Sequence, residues 1–308
     1  MRRHLSPNQR LTVGFSGGRD SVALLHVAHR LQPLFGFRLA ACHVNHRISL
    51  QAEEWQAFCL NFCDRLNVPL DIIVVDVPRD SVEGLEAAAR AKRYAAFGDI
   101  AADWVVLGQH RDDQAETVLF NLIRGAGLLG ASGMPEVRSV RPGLNLLRPL
   151  LDVDRKDIDA YLQRNSLIWV EDESNANIGF SRNFMRHEVM PLLQSRFPAA
   201  AGNLAAAAGR FAEAKSLLDE LALLDLNGLA PSFPLPIAML VELPEPRGRN
   251  LLRFLLAKQG VRIPSEERLV EALRQLSDAG PDRHPVVVFG DKHLRRVRGQ
   301  VHLEIARS

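Results

Sequence analysis

The chain of 308 residues has only three cysteines, Cys42, Cys59 and Cys63. No two stand in a C-x-x-C pair, so the sequence offers neither a disulfide framework nor paired thiols for a metal or redox centre. Buried free thiols are the plain expectation. Long apolar runs are missing as well, which excludes a helix that spans a bilayer. The opening Met1-Arg-Arg-His-Leu-Ser-Pro has no apolar core of a secretory signal, and a cytoplasmic location is expected. An excess of charge of one sign is lacking too, since 38 Lys and Arg face 36 Asp and Glu. Bulk attraction therefore neither demands nor excludes a polyanionic partner. A nucleic-acid face would need its arginines gathered on one side.

What is present is organised around Leu11-Thr-Val-Gly-Phe-Ser-Gly-Gly-Arg-Asp-Ser21. An apolar run suited to a buried strand gives way to Ser16, Gly17 and Gly18, and helix spacing of Val22, Leu24, Leu25, Ala28 and Leu31 follows. Glycines let backbone N–H groups approach an anion, and the positive end of the new helix favours it, so a phosphate is the natural guest. Asp20 at the helix start makes sense beside phosphate if Mg2+ lies between them. An ordinary strand-to-helix turn is the bland alternative.

The alternation continues. Phe37-Arg-Leu-Ala-Ala-Cys-His-Val-Asn-His46 reads as a second strand with His43, Asn45 and His46 at its end. Ligands in open α/β sheets bind beyond the carboxyl ends of strands, so these are candidate nucleotide contacts. A helix through Trp55 and Phe62 leads to a third strand at Leu70–Val77, and a helix from Gly84 to Phe97 places Glu86, Arg90 and Arg93 on one side. Glu86 and Arg90 could simply pair one turn apart. A fourth strand ends at Gly108-Gln-His110 and delivers Asp112, Asp113 and Glu116 to a helix start. Capping and dipole compensation cover one or two of these acids comfortably. A fifth strand is expected at Leu144–Leu147. The pattern predicts a doubly wound parallel α/β sheet over residues 1–195, a helical connector over 196–230, and a second, smaller α+β domain over 231–308. Pro231-Ser-Phe-Pro-Leu-Pro236 marks the expected boundary. In the last part, helices at Arg249–Gln259 and Ser265–Leu276 precede strands at Val286–Phe289, His293–Val297 and Val301–Ile305. Arg247, Arg249, Arg253, Arg295, Arg296 and Arg298 are the candidate phosphate contacts there. A solvated edge hairpin explains the last three as well.

Ser-Gly-Gly-x-Asp-Ser resembles the pyrophosphate loop of the ATP-pyrophosphatase superfamily. Further motifs make the likeness specific: His43-Val-Asn-His46, Glu86-Ala-Ala-Ala-Arg90 with Arg93-Tyr94, Gly108 through Thr117, Arg148-Pro-Leu-Leu151, Asp172-Glu-Ser-Asn175 and Arg182-Asn-Phe-Met-Arg186. In order and spacing they resemble the bacterial tRNA(Ile)-lysidine synthetase family over about two thirds of the chain. Gln109 departs from a histidine common there, as does Arg47-Ile-Ser from a leucine-arginine ending.

The resemblance implies ATP and Mg2+, free lysine and a CAU-anticodon tRNA(Ile), with lysine joined to C2 of the wobble cytidine through an adenylated intermediate. It implies an ATP site at Ser16, Gly17, Gly18, Arg19, Asp20, Ser21, His43, Asn45, His46 and Gly108, with Asp20 on the metal. Asp113 and Glu116 would hold the lysine ammonium groups and act with Asp20 in catalysis. Arg90 would take the lysine carboxylate, and Arg182 and Arg186 would face the tRNA. A homodimer is left open. Two other classes stay in view, a thiolase or amidating relative and an RNA-binding protein gated by a nucleotide.

Overall fold

The computed structural model describes residues 3–78, 84–173, 177–262, 264–278 and 285–305, and the side chain of Glu86 is also outside the description. The chain separates into two compact units, the first running to Gly209 and the second starting at Arg210, with Gly127–Leu129 grouped with the second.

In the first unit, β1 (Arg10–Gly14), α1 (Arg19–Phe35), β2 (Arg38–Asn45), α2 (Ala52–Leu66), β3 (Leu70–Val74), α3 (Leu85–Gly98), β4 (Trp104–Val106) and α4 (Arg111–Ile123) alternate strictly. Leu11, Thr12 and Val13 are all at or below 3% exposure, so β1 is covered on both faces, as a central parallel strand must be. Short helix α5 (Leu128–Ala131) precedes β5 (Val137–Arg141) and β6 (Leu144–Leu147). The sheet runs β3-β2-β1-β4-β6-β5, parallel except for β5, which pairs antiparallel with β6. The doubly wound expectation holds with an addition, because β5 and its Pro142-Gly143 turn had not been expected. Its Val137-Arg-Ser-Val-Arg141 carries too much charge to read as a buried strand, which suits an edge.

Chain order reverses across β1. Leaving it, the chain passes to β2 on one side and returns to β4 on the other, so the β1/β4 boundary is the switch point where a crevice opens beyond the strand ends. Ser16–Ser21 follows β1 and Gly108–Glu116 follows β4. Both candidate segments meet there.

Beyond β6 come α6 (Arg155–Arg164), α7 (Ser181–Phe184), a π-helical turn (Met185–Val189), α8 (Met190–Arg196) and α9 (Ala200–Asp225). Met190, Ala115 and Ala201 form a small buried cluster with Leu119, Leu193 and Leu204, which fastens α8 and the start of α9 against α4. That contact fixes the π-helical turn beside the acids of α4.

The second unit holds the end of α9, then β7 (Leu235–Pro236), α10 (Ala238–Val241), α11 (Glu245–Lys258), α12 (Glu266–Asp278), β8 (Val286–Phe289), β9 (Lys292–Val297) and β10 (Gln300–Ile305). The antiparallel sheet β7-β10-β9-β8 shares one core with α11 and α12, built on Leu252, Leu256, Leu269, Leu276, Leu294 and Val301. Leu226 and Leu235 belong to this same core. The units therefore divide inside α9, and the proline-rich segment expected to mark the boundary is part of the second unit, with β7 inside it.

Candidate active site

The loop after β1 is folded by its own serines. The Gly18 N–H donates to Ser16 Oγ at 3.3 Å, and the Ser21 hydroxyl donates to the Gly18 carbonyl at 2.8 Å. With that proton committed, the 3.2 Å contact between the two hydroxyls runs from Ser16 to Ser21, closing a ring of three hydrogen bonds. Gly17 sits at φ +81°, where L side chains are strained, and a Cβ there would stand 3.0 Å from Cys59 Sγ and from Val170. The backbone N–H groups of Arg19, Asp20 and Ser21 open α1, where no intrahelical acceptor precedes them. Such unpaired N–H groups at a helix start are suited to phosphate oxygens. Arg19 turns aside from them, with Nε 3.2 Å from Asp20 and 3.4 Å from Asp159.

The histidines behind the loop behave differently from one another. His43, 5% exposed, places Nδ1 3.0 Å from the Phe15 carbonyl, so Nδ1 carries the proton and braces the end of β1. Asn45 is committed elsewhere, donating to Gln56 of α2 at 3.0 Å and accepting the Arg47 N–H of its own turn at 2.9 Å. The structure places neither side chain in the loop itself. His46 has a buried Nδ1 without a hydrogen-bond partner among the described residues. Burial, then Arg93 and His43, push its pKa down from 6.5 to about 4. Between those values the unfolded chain binds a proton that the folded chain does not, so stability falls as the pH drops through this window. In His46→Gln the dependence of Tm on pH from about 6.5 down to about 4 becomes shallower. Equal slopes in the two proteins would refute the assignment.

On the β4 side, Gly108 lies against the loop. A Cβ added there would be 2.9 Å from the Asp20 carbonyl oxygen and 3.1 Å from its carbonyl carbon. His110 follows, 2% exposed, with Nε2 3.7 Å from Asp20 and 3.5 Å from Asp113, and Nδ1 3.6 Å from Asp112. Burial opposes a charge on this imidazole, yet Asp112, Asp113 and Asp20 outweigh it and raise its pKa. Asp113 Oδ2 also accepts the His110 N–H at 3.0 Å, capping α4. Asp112 instead accepts the Arg155 N–H at 3.2 Å and caps α6.

Asp113 and Glu116 are buried, at 6% and 4% exposure, and are already balanced. Arg186 Nη2 reaches Asp113 Oδ1 at 2.6 Å, and its Nε reaches Glu116 Oε1 at 2.9 Å. Arg182 stands farther off, 3.4 Å from Asp113 and 3.8 Å from Glu116. Burial pushes the Asp113 carboxyl up, but His110, Arg182 and Arg186 together hold it below the usual carboxylate range. Both arginines had been expected on an RNA-facing wall. Their guanidiniums turn inward to the acids because α7 and the π-helical turn that carry them run straight into α8, which is anchored on α4.

Arg90 makes no contact with these acids. Its Nη2 donates to the Tyr94 hydroxyl at 3.2 Å and its guanidinium lies 4.9 Å from the Tyr94 ring centre. The Ser174 and Asn175 part of the Asp172–Asn175 motif is outside the described residues. Two residues quoted only as parts of motifs emerge as nodes of the site: His110, joining Asp20 to Asp113, and Arg148, buried beside Gln109. Their positions at the ends of β4 and β6 were the available signal.

A doubly wound sheet with a glycine turn, an acid and a free helix N-terminus at its switch point defines a pyrophosphate-loop protein. Residues 2–193 match the family model described as PP-loop domain, and residues 235–302 match the one described as TilS substrate binding domain. A tRNA(Ile)-lysidine synthase of Nitrosomonas europaea is 43% identical over 98% of this chain and 66% of its own length. Those of Aromatoleum aromaticum and Alkalilimnicola ehrlichii are 49% and 41% identical, over 88% and 97% of this chain and 64% and 68% of their own lengths. The chain belongs to the tRNA(Ile)-lysidine synthase family, and it spans about two thirds of the length of these curated relatives. Among solved structures, U34-tRNA thiolase NcsA from Methanococcus maripaludis shares the fold, with a TM-score of 0.57 and 17% identity over 69% of this chain and 74% of that one. No helix among the described residues is long and apolar enough to cross a membrane.

Proposed function

We propose that this chain joins free lysine to C2 of the wobble cytidine of a CAU-anticodon tRNA(Ile), using ATP and releasing AMP and pyrophosphate. One observation carries the reading. The phosphate cradle and Asp20 after β1 meet the Asp113 and Glu116 pair after β4 at one switch point, with Gly108 in backbone contact between them.

In the first step the cytidine C2 oxygen attacks the α-phosphorus of ATP, and pyrophosphate leaves into the cradle. Ser16 and Ser21 turn their hydroxyls outward to receive it, opening their ring of hydrogen bonds, and the N–H groups at the head of α1 add fixed positive dipoles. Among the described residues no three His, Cys, Asp or Glu side chains form a metal-binding group. Mg2+ is commonly held by one or two carboxylates plus substrate phosphates, and Asp20, 32% exposed at the loop, fits that arrangement. A Mg2+ ion held there would offset charge on the departing pyrophosphate.

In the second step the lysine ε-amine attacks C2, and AMP departs with the former C2 oxygen. An ammonium has no lone pair, so one proton must leave it first. Asp113 and Glu116 hold the ammonium groups and help to take up that proton. The lysine displaces Arg182, the looser of the two guanidiniums, while Arg186 keeps the acids in place. Arg90 contacts the lysine carboxylate. The second unit contributes tRNA contacts through its arginines, and the enzyme works in the cytoplasm.

The thiolase alternative finds no support in the cysteines. All three are buried, and burial first of all pushes each thiol up to about 12, which disfavours the thiolate needed for cluster ligation or sulfur transfer. The test is incorporation of labelled lysine into an unmodified CAU-anticodon tRNA(Ile) transcript with ATP and Mg2+. Label should appear with the parent protein and be lost with Asp20→Ala and with a uridine-34 transcript. Pyrophosphate release without lysine incorporation would favour another nucleophile, and ATP binding without cleavage would favour the nucleotide-gated RNA binder.

A further inference from the structure

Arg148 is 2% exposed, yet no carboxylate touches its guanidinium among the described residues. Nε donates to Gln109 Oε1 at 3.1 Å, Nη1 to the Pro135 carbonyl at 2.7 Å, and Nη2 to the Tyr94 hydroxyl at 3.2 Å. Burying a cation among neutral acceptors is unfavourable. Burial lowers the Arg148 pKa first, Tyr94 pushes it back in part, and Arg138 and Arg90 press it down again.

Tyr94 is the hub of the set. Its hydroxyl receives Arg90 and Arg148, both at 3.2 Å, and the guanidiniums of Arg90 and Arg138 each lie 4.9 Å from its ring centre. Three like charges, from α3, β5 and the end of β6, thus converge on one phenol. Such a group is stabilised by an anion, and guanidiniums are suited to planar oxyanions. Gln109 ties Arg148 to the segment that follows β4 and leads to Asp113 and Glu116. Because β4 and β6 are parallel neighbours, Arg148 after β6 and the acid pair after β4 lie beyond the same ends of the sheet, and Arg138 on β5 pairs with Leu146 near that end of β6.

One subsite is acidic and one is cationic, which matches a substrate with ammonium groups and a carboxylate. We infer that Tyr94, Arg138 and Arg148 complete, with Arg90, a carboxylate subsite that selects an α-amino acid over a plain diamine. This rests on the lysine reading above. Arg90 and Arg138 face the carboxylate, while Tyr94 is the positioning residue that holds their two guanidiniums and Arg148 fixes the Tyr94 hydroxyl.

The test compares lysine with cadaverine, which is lysine without its carboxylate, as acceptors in the tRNA reaction. The parent protein should prefer lysine by about 100-fold in kcat/KM, the size of a lost charge-assisted contact. Arg138→Ala should raise the lysine KM about ten-fold, leave the ATP KM and the cadaverine rate unchanged, and so contract the preference. Arg138→Lys should restore part of it. Tyr94→Phe, which keeps the ring and removes only the hydroxyl, should contract the preference too. Equal losses for both amines, an unmoved ratio in both variants, or no preference in the parent would overturn the inference alone. A parent protein that transfers no lysine would overturn the proposed function and this inference with it.

Discussion

Replacing Arg186 with methionine should lower the unfolding free energy by about 3 kcal/mol at neutral pH, because two buried carboxylates lose their closest cation. Arg186 bonds Asp113 at 2.6 Å and Glu116 at 2.9 Å, and the two acid side chains are only 9% and 5% exposed. Arg182 remains 3.4 Å from Asp113, which keeps the loss at the lower end of the range for a broken buried pair. Urea unfolding is the measurement, and the midpoint should fall with the slope unchanged. The sign of the pH effect follows from the pKa direction. In the parent protein Asp113 is held below its usual range, so its contribution is present above the unfolded value and lost as pH falls through the folded one. In the variant Asp113 loses one of the cations that hold its carboxyl down and protonates more readily, so the stability gap narrows from neutral pH toward acid. Adding Glu116→Gln should recover part of the loss, since one buried charge is then gone. A gap that stays constant with pH would mean that Arg186 acts through packing instead.

The second large effect is expected at Gly108. In Gly108→Ala the new methyl group meets the Asp20 carbonyl oxygen at 2.9 Å and its carbon at 3.1 Å, and both are backbone atoms. Neither can swing aside as a flexible side chain would, so the head of α1 must move away from β4. That movement shifts Asp20 and the phosphate N–H groups together. A displacement of this kind costs about 100-fold in kcat/KM for ATP. Gly98→Ala, where a Cβ meets nothing within 4 Å, is the matched control and should be near neutral. Comparable ATP kinetics for the two variants would remove the close approach from the account.

The parts of the molecule legible in the sequence are those written in local pattern. Leu11 to Val13 before two glycines, and the spaced apolar residues after them, specify strand, turn and helix without help from distant residues. The same holds for α4 with its acids and for the amphipathic α12, whose Leu269, Ala272 and Leu276 line the buried side. Harder to read is β5, where Arg138 and Arg141 mask an edge strand. The state of the acids was also out of reach. Asp113 and Glu116 are recognisable as a pair, but their partners lie about 70 residues further on, brought back by α8 packing on α4. Arg90 fits an expected helical pair with Glu86 one turn back, and its contact with Tyr94 one turn on is equally local, but the link through Tyr94 to Arg148, 54 residues away, depends on β6 ending beside α3. Division of the units inside α9 has the same origin, since a continuous helix gives no local sign of which core its two halves join.

The most direct test of the central claim follows the α-phosphate. The protein is incubated with ATP labelled at that phosphate and a CAU-anticodon tRNA(Ile) transcript, first without lysine and then with it. Label should enter the tRNA only when cytidine 34 is present, persist until lysine is added, and then appear as free AMP while lysine joins the tRNA. Label that never enters the tRNA, or AMP released at the same rate without lysine, would contradict the account.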